Sequence, residues 1–215
     1  MRHLRFPRKN SGSATDPPPT DIAEAITRAL ALVIEKRDPT TADHCIMVGE
    51  LAGETAVVLG VSEIEHRIIM RAGRLHDLGK IAIPDRVLHN SNNLDARELG
   101  VIRSHVEHGE AILEQLSAIS EEIAAASILV GAHHERWDGR GYPRGLSGLG
   151  IPHGGRILAV ADTYSALVMK RSYQAALSHT EAMDAITSGS GIHFDPEVVE
   201  AFVALDWSGW LTERG

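Results

Sequence analysis

At 215 residues with 43% hydrophobic side chains, the chain is long enough for one well-cored domain and a tail. Aromatics make up only 4%, so Ala, Leu, Ile and Val must build the core, which favours an all-α fold. A net charge of −8 with no basic stretch interleaved with aromatics argues against duplex nucleic acid as a partner, and no apolar run is long enough to cross a bilayer.

Residues 1–19 read as a disordered tail or linker: basic at first, then rich in Ser and Gly, then Asp16-Pro17-Pro18-Pro19. Met1 to Phe6 is not followed by the apolar core of a secretory signal, and the lone Cys45 has no partner for an internal disulfide, so the chain reads as cytoplasmic. With Asp21 as N-cap, Ile22, Ile26, Ala29, Leu30 and Val33 recur at helical spacing as far as Lys36. Residues 20–36 are therefore expected as an N-terminal helical extension, ended by Arg37-Asp38-Pro39, and residues 37–215 as the main domain.

A second helix is expected from Thr40 or Thr41 to Leu59, with Gly60 at its stop position. Gly49 and Gly53 inside it each cost about 1 kcal/mol relative to Ala, which predicts a neighbouring helix crossing closely there. Ser62-Glu63-Ile64-Glu65 reads as a capping box opening a helix with Ile68, Ile69, Ala72 and Leu75 on one side. That helix delivers His76 and Asp77, just before Gly79.

Residues 81–93 read as a connecting segment. Asp95, with Glu98 in the reciprocal capping position, opens a helix expected to carry both His105 and His108. An Ala-rich helix over residues 121–132 ends in His133-His134, and a loop with several glycines spans residues 139–152. Helical periodicity resumes from Arg156 to about Met169 around Asp162. Thr180 opens a short helix, and Pro196 takes the first position of the last one. No alternating strand pattern and no internal repeat is visible.

His44, His76, Asp77, His105, His133, His134 and Asp162 stand out as one set. Imidazole and carboxylate groups suit Mn, Fe, Zn or Ni, and the lack of thiolates argues against a structural zinc cage. The set exceeds the needs of one ion and suits two ions bridged by a carboxylate, an arrangement that clamps both oxygens of a phosphoryl displacement and supplies hydroxide near neutral pH. Each member has an ordinary alternative. His76-Asp77 also reads as a helix-end hydrogen bond, His44 as a solvated residue near a helix start, and His105 and His108 share a face, so either fits as a ligand. Asp162 within an apolar helix is harder to explain without a partner. Lys80 also complements a helix C-terminus, Arg171 also reads as a surface cation, and Tyr142 as loop packing. His3, His66, His89, His153, His179 and His193 read as surface or structural residues.

The two stretches Arg74-Leu75-His76-Asp77-Leu78-Gly79-Lys80 and His133-His134-Glu135-Arg136-Trp137-Asp138-Gly139-Arg140-Gly141-Tyr142-Pro143 closely resemble the HD-GYP family of metal-dependent phosphohydrolases. The resemblance runs from about Lys36 to Ala204 and implies an all-α HD-type helical bundle. It implies His44, His76, Asp77, His105, His133, His134 and Asp162 as ligands of two divalent transition-metal ions, Fe or Mn, with Asp77 as the bridge. Asp77 and Lys80 would carry catalysis, and Lys80, Gly139, Tyr142 and Arg171 would contact substrate. The implied reaction is hydrolysis of a cyclic dinucleotide, foremost cyclic di-GMP, to pGpG or GMP. Two other readings stay open: a low-turnover signalling module that binds the dinucleotide or a partner protein through the loop at residues 138–143, and a phosphohydrolase for another nucleotide such as cyclic GMP-AMP.

The chain departs from the family pattern at four places. Thr40 stands where some relatives carry an acidic residue that helps hold a third metal, so two ions are expected. Val106 replaces the usual Pro after His105, a change that bears on the local helix break rather than on the ligand. Ser172 replaces the Pro after Arg171, and Gln174 takes a usually basic position, which removes one cation from the implied phosphate or guanine contact.

Overall fold

The computed structural model describes residues 21–90, 94–169 and 176–207; the tail expected at residues 1–19, Arg171, Ser172 and Gln174 lie outside them. The described residues form helices α1 (Ile22–Arg37), α2 (Pro39–Val58), α3 (Glu63–Leu75), α4 (Asp85–Leu88), α5 (Ala96–Arg103), α6 (His105–Glu114), α7 (Glu121–Val130), α8 (His153–Val168), α9 (His179–Ser188) and α10 (Pro196–Val203). A short 3₁₀ turn over Leu78–Ala82 links α3 to α4. Among the described residues there is no strand, so the all-α expectation holds.

Helix α2 is the centre of the bundle, with Val48, Leu51, Ala52 and Ala56 fully buried. Its N-cap is Asp38, whose carboxylate accepts from the Thr40 N–H, and Pro39 opens the helix where its missing N–H is no loss. Close crossing with α3 occurs where the interior glycines predict it. A Cβ on Gly73 would lie 2.6 Å from the Gly49 Cα, and one on Gly53 would lie 2.8 Å from the Met70 Cγ. Besides this aliphatic core, Tyr164, Phe202 and Trp207 pack in a row at one end, with ring centroids 5.2 and 4.9 Å apart.

Several local expectations need correction. The fully buried positions of α1 are Ala23, Thr27 and Ile34; of the expected stripe Ile26 and Leu30 pack against the core, while Ile22 and Val33 point outward, because the apolar band on this helix is wider than the face it buries. The capping box at Ser62 is only half formed: Ser62 accepts from the Glu65 N–H, but the Glu65 carboxylate reaches His153 on α8 instead. The segment after the 3₁₀ turn is helical over α4 rather than a plain connection. The helix opened by the Asp95–Glu98 capping box stops at Arg103, and His105 begins a new one. The break stands without the family's proline, with the Ser104 hydroxyl donating to the Val101 carbonyl at 2.7 Å. Helix α9 starts at His179 rather than Thr180, since Ser178 and Glu181 make a reciprocal capping box.

Candidate metal centre

Three structural breaks and two helix interiors deliver the candidate ligands to one place. Helix α3 ends at Leu75, so His76 caps it and Asp77 leads into the 3₁₀ turn. There α6 comes within backbone contact: a Cβ on Gly79 would fall 1.9 Å from the His105 carbonyl oxygen, so only glycine lets the two segments meet. The second break, between α5 and α6, turns His105 inward. The third, after α7, presents His133 and His134. His44 and Asp162 come from the interiors of α2 and α8, which pack side by side.

The side chains converge on the Asp77 carboxylate, which is 3% exposed. One of its oxygens, Oδ2, lies 3.6 Å from His76 Nε2 and 3.9 Å from His44 Nε2, while Oδ1 lies 3.4 Å from His105 Nε2. Asp162 closes the other side, with Oδ1 2.9 Å from His44 Nε2 and 3.7 Å from His76 Nε2, and Oδ2 3.8 Å from His134 Nδ1. His105 and His133 face each other at 3.4 Å through their Nε2 atoms. Three overlapping groups of close ligand atoms result: His44, His76 and Asp77; His76, His133 and Asp162; His105, His133 and His134.

The outer nitrogens explain why the inner ones are available. His76, His105 and His133 each donate from Nδ1 to the carbonyl three residues earlier, on Gly73, Ile102 and Val130, at 2.7, 2.7 and 2.6 Å. That bond fixes the proton on Nδ1 in the neutral ring and leaves a lone pair on each inward Nε2. His44 Nδ1 is held by the Ser165 hydroxyl at 2.8 Å.

This arrangement fits a cation. The His76 Nε2 is buried with no hydrogen-bond partner, and the Nε2 lone pairs of His105 and His133 oppose each other. Ligands that share an ion at about 2.1 Å stand roughly 3–4 Å apart, which is the spacing found here. Burial disfavours the ionised form of Asp77, but Lys80 and the surrounding histidines override it and hold the carboxyl well below its usual range. Asp162 behaves alike, opposed by burial and carried by His44 and His76. Burial holds His133 well below the ordinary imidazole value and His134 at about 4, so both are neutral at pH 7. At His76 the balance reverses: burial opposes protonation, yet the Asp77 carboxylate raises its pKa well above normal, so a positive charge is favoured in the centre.

Lys80 donates to Asp77 Oδ2 at 2.6 Å, which makes it a partner of the central carboxylate rather than a simple helix-end charge. Tyr142 stacks on His134 with centroids 4.8 Å apart, placed by its N–H donating to the His134 carbonyl at 3.1 Å. The loop that carries it is tied from inside. The buried Glu135 carboxylate accepts from the backbone N–H groups of Arg144 and Leu146, at 2.7 and 3.0 Å. Gly141 is required there, since a Cβ would lie 2.4 Å from the Arg136 nitrogen. Over the centre lies a cleft of about 310 Å³ walled by Arg103, His134, Gly141, Tyr142, Thr163 and His193, among others. Gly139 is not part of its wall; it occupies a turn of the loop at φ 76°. His108 is exposed and takes no part.

Sequence reasoning missed Ser165, Glu135, Arg103 and His193. Ser165 follows Asp162 by three residues on the same helix face, a spacing that was readable; the others are joined to the site only by the folded loop.

A family model described as HD domain matches residues 24–198. Similar curated proteins include the 3'3'-cGAMP-specific phosphodiesterase 2 of Vibrio cholerae serotype O1, 40% identical over 189 residues that span 86% of this chain and 35% of that protein. The cyclic di-GMP phosphodiesterase of Thermotoga maritima is 40% identical over 186 residues, 86% of this chain and 50% of that one. The chain thus spans half or less of the length of these relatives. Among solved structures, a HDG"Y"P protein from Bdellovibrio bacteriovorus superposes with a TM-score of 0.62 at 14% identity, covering 84% of this chain and 60% of that one, a likeness of fold. The chain belongs to the HD domain family.

Proposed function

We propose that the chain is a metal-dependent phosphodiesterase that hydrolyses a cyclic dinucleotide, foremost cyclic di-GMP, to pGpG or GMP. His44, His76, Asp77, His105, His133, His134 and Asp162 would hold two divalent ions, Fe or Mn by ligand preference, with Asp77 between them. The observation that carries this reading is the set of carbonyl-fixed imidazoles whose free nitrogens converge between the Asp77 and Asp162 carboxylates. Bound divalent ions supply Lewis acidity and a water of lowered pKa for attack on a phosphodiester.

The chain's own groups have separate tasks. Lys80 keeps its charge, because Asp77 raises its pKa against the effect of burial, and it offers its remaining N–H donors to a phosphate oxygen. Tyr142 gives the cleft an aromatic wall for the nucleotide. Glu135 keeps the loop closed over the centre. Arg171 is assigned a phosphate or guanine contact, and Gly139 a backbone contact, on the family resemblance alone. The exposed side of the loop at residues 138–143 is the surface assigned to a signalling partner.

A second reading has its own support: a relative named for 3'3'-cGAMP is as similar as one named for cyclic di-GMP. Product chromatography of anaerobically purified, manganese-loaded protein with each dinucleotide decides between them. Cyclic di-GMP is expected to be cut, and the H76A/D77A variant to lose about 10³-fold or more of that rate while staying folded. Full activity in this double variant defeats the enzyme reading, and binding without turnover by the wild type supports the signalling-module alternative.

A further inference from the structure

We infer that Arg103 binds the phosphate of the cyclic dinucleotide that is not being cut, so that one cleft engages both phosphates of the ring. The inference rests on the function proposed above and names a contact that neither the motifs nor the relatives assign. Arg103 is the last residue of α5, exposed at the cleft wall, with its guanidinium carbon 5.0 Å from the centre of the Tyr142 ring. Tyr142 in turn stacks on His134, so a column of guanidinium, phenol and imidazole runs from the mouth of the cleft to the metal centre.

Three other arginines nearby are already engaged. Arg136 is held by both oxygens of Asp138 at 3.0 and 2.6 Å, Arg144 by Glu110 and the Gly131 carbonyl, and Arg156 by Asp195. Arg140, exposed on the same wall, makes no ion pair among the described residues; only its backbone N–H is held, by Asp138 at 3.0 Å, and no ring orients its side chain. The Arg103 guanidinium has neither an ion pair nor a hydrogen bond among the described residues and lies against the Tyr142 ring. A guanidinium lying on an aromatic ring is fixed in orientation yet keeps its in-plane N–H fork free, and that fork matches two oxygens of a phosphate. A cyclic dinucleotide carries its two phosphodiesters on opposite sides of a single small ring. With one at the Asp77 centre, the second must lie elsewhere in the same cleft, where an unengaged cation is pre-positioned.

The test compares wild type, R103A and R103K, all manganese-loaded, on cyclic di-GMP, on 3'3'-cGAMP and on bis(p-nitrophenyl) phosphate, which has a single phosphodiester. Loss of a charge-assisted pair predicts that R103A raises KM about 10–100-fold for both dinucleotides, with kcat nearly kept, and lowers kcat/KM for the single diester by a factor at least tenfold smaller. R103K recovers part of the loss, since it restores the charge without the fork. An unchanged KM in R103A, or an equal loss on the single diester, overturns the assignment. So does a loss that differs between the two dinucleotides in proportion to their guanine content, which would make Arg103 a base reader. A wild type that cuts bis(p-nitrophenyl) phosphate and neither dinucleotide overturns the underlying function, and the assignment falls with it.

Discussion

His44 is the one buried imidazole of the cluster whose outer nitrogen is held by a side chain, the Ser165 hydroxyl, rather than by a backbone carbonyl. That makes its orientation the easiest to disturb without touching a ligand. Groups that hold a ligand's far side contribute about 10–100-fold to metal affinity, so Ser165→Ala is expected to weaken manganese binding by that factor with little change in melting temperature, as read by calorimetric titration. Unchanged affinity would show that packing alone orients His44. Protonation offers a second test on single residues. Burial keeps His134 near 4 and His133 lower than an ordinary imidazole, so neither binds a proton at neutral pH and both are free to bind a cation. As pH falls, protons compete first at His76, whose pKa the Asp77 carboxylate raises, and reach His134 only near 4, so bound metal is expected to be released across that span and to be gone by its acid end. Metal content measured after equilibration across that range checks the order.

At the level of elements, the joint between the 3₁₀ turn and α6 governs whether the site assembles. Gly79 is the contact: any side chain there meets the His105 backbone, so Gly79→Ala must push α6 away and carry His105 off the Asp77 carboxylate. Overpacking of this kind costs about 1–3 kcal/mol, and metal binding is expected to fall further than stability does, by chemical denaturation and titration on the same sample. The sequence made the helices and every candidate ligand legible because both depend on short spacings: apolar periodicity for α2, α3 and α8, and motif intervals for His76-Asp77 and His133-His134. The folded chain brings that whole set together. Features set by contacts between distant elements were not legible. Helix α1 carries an apolar band wider than the face it buries, and its packing against α2 and α3, with Arg71 of α3 reaching Asp21, selects the part that is covered. The break before His105 has no proline to announce it. Arg103 looks like any surface cation until the loop from α7 places Tyr142 beneath it.

Across the whole molecule, buried charge without a full set of protein partners gathers at the metal centre, whereas Arg71 and Asp195 are paired elsewhere with Glu122 and Arg156. Two carboxylates, Asp77 and Asp162, stand among four histidines whose pKa burial lowers, with only His76 raised, and an assembly of that kind is costly unless positive charge compensates it. Lys80 supplies part of the compensation from one side. The rest is the central claim: a pair of divalent ions shared through Asp77. The direct measurement is a crystal of manganese-loaded protein examined at an anomalous wavelength. Two peaks about 3.5–4 Å apart, one on each side of the Asp77 carboxylate, are the expected result. No peak within coordination reach of Asp77, with its neighbouring imidazoles in place, would contradict it.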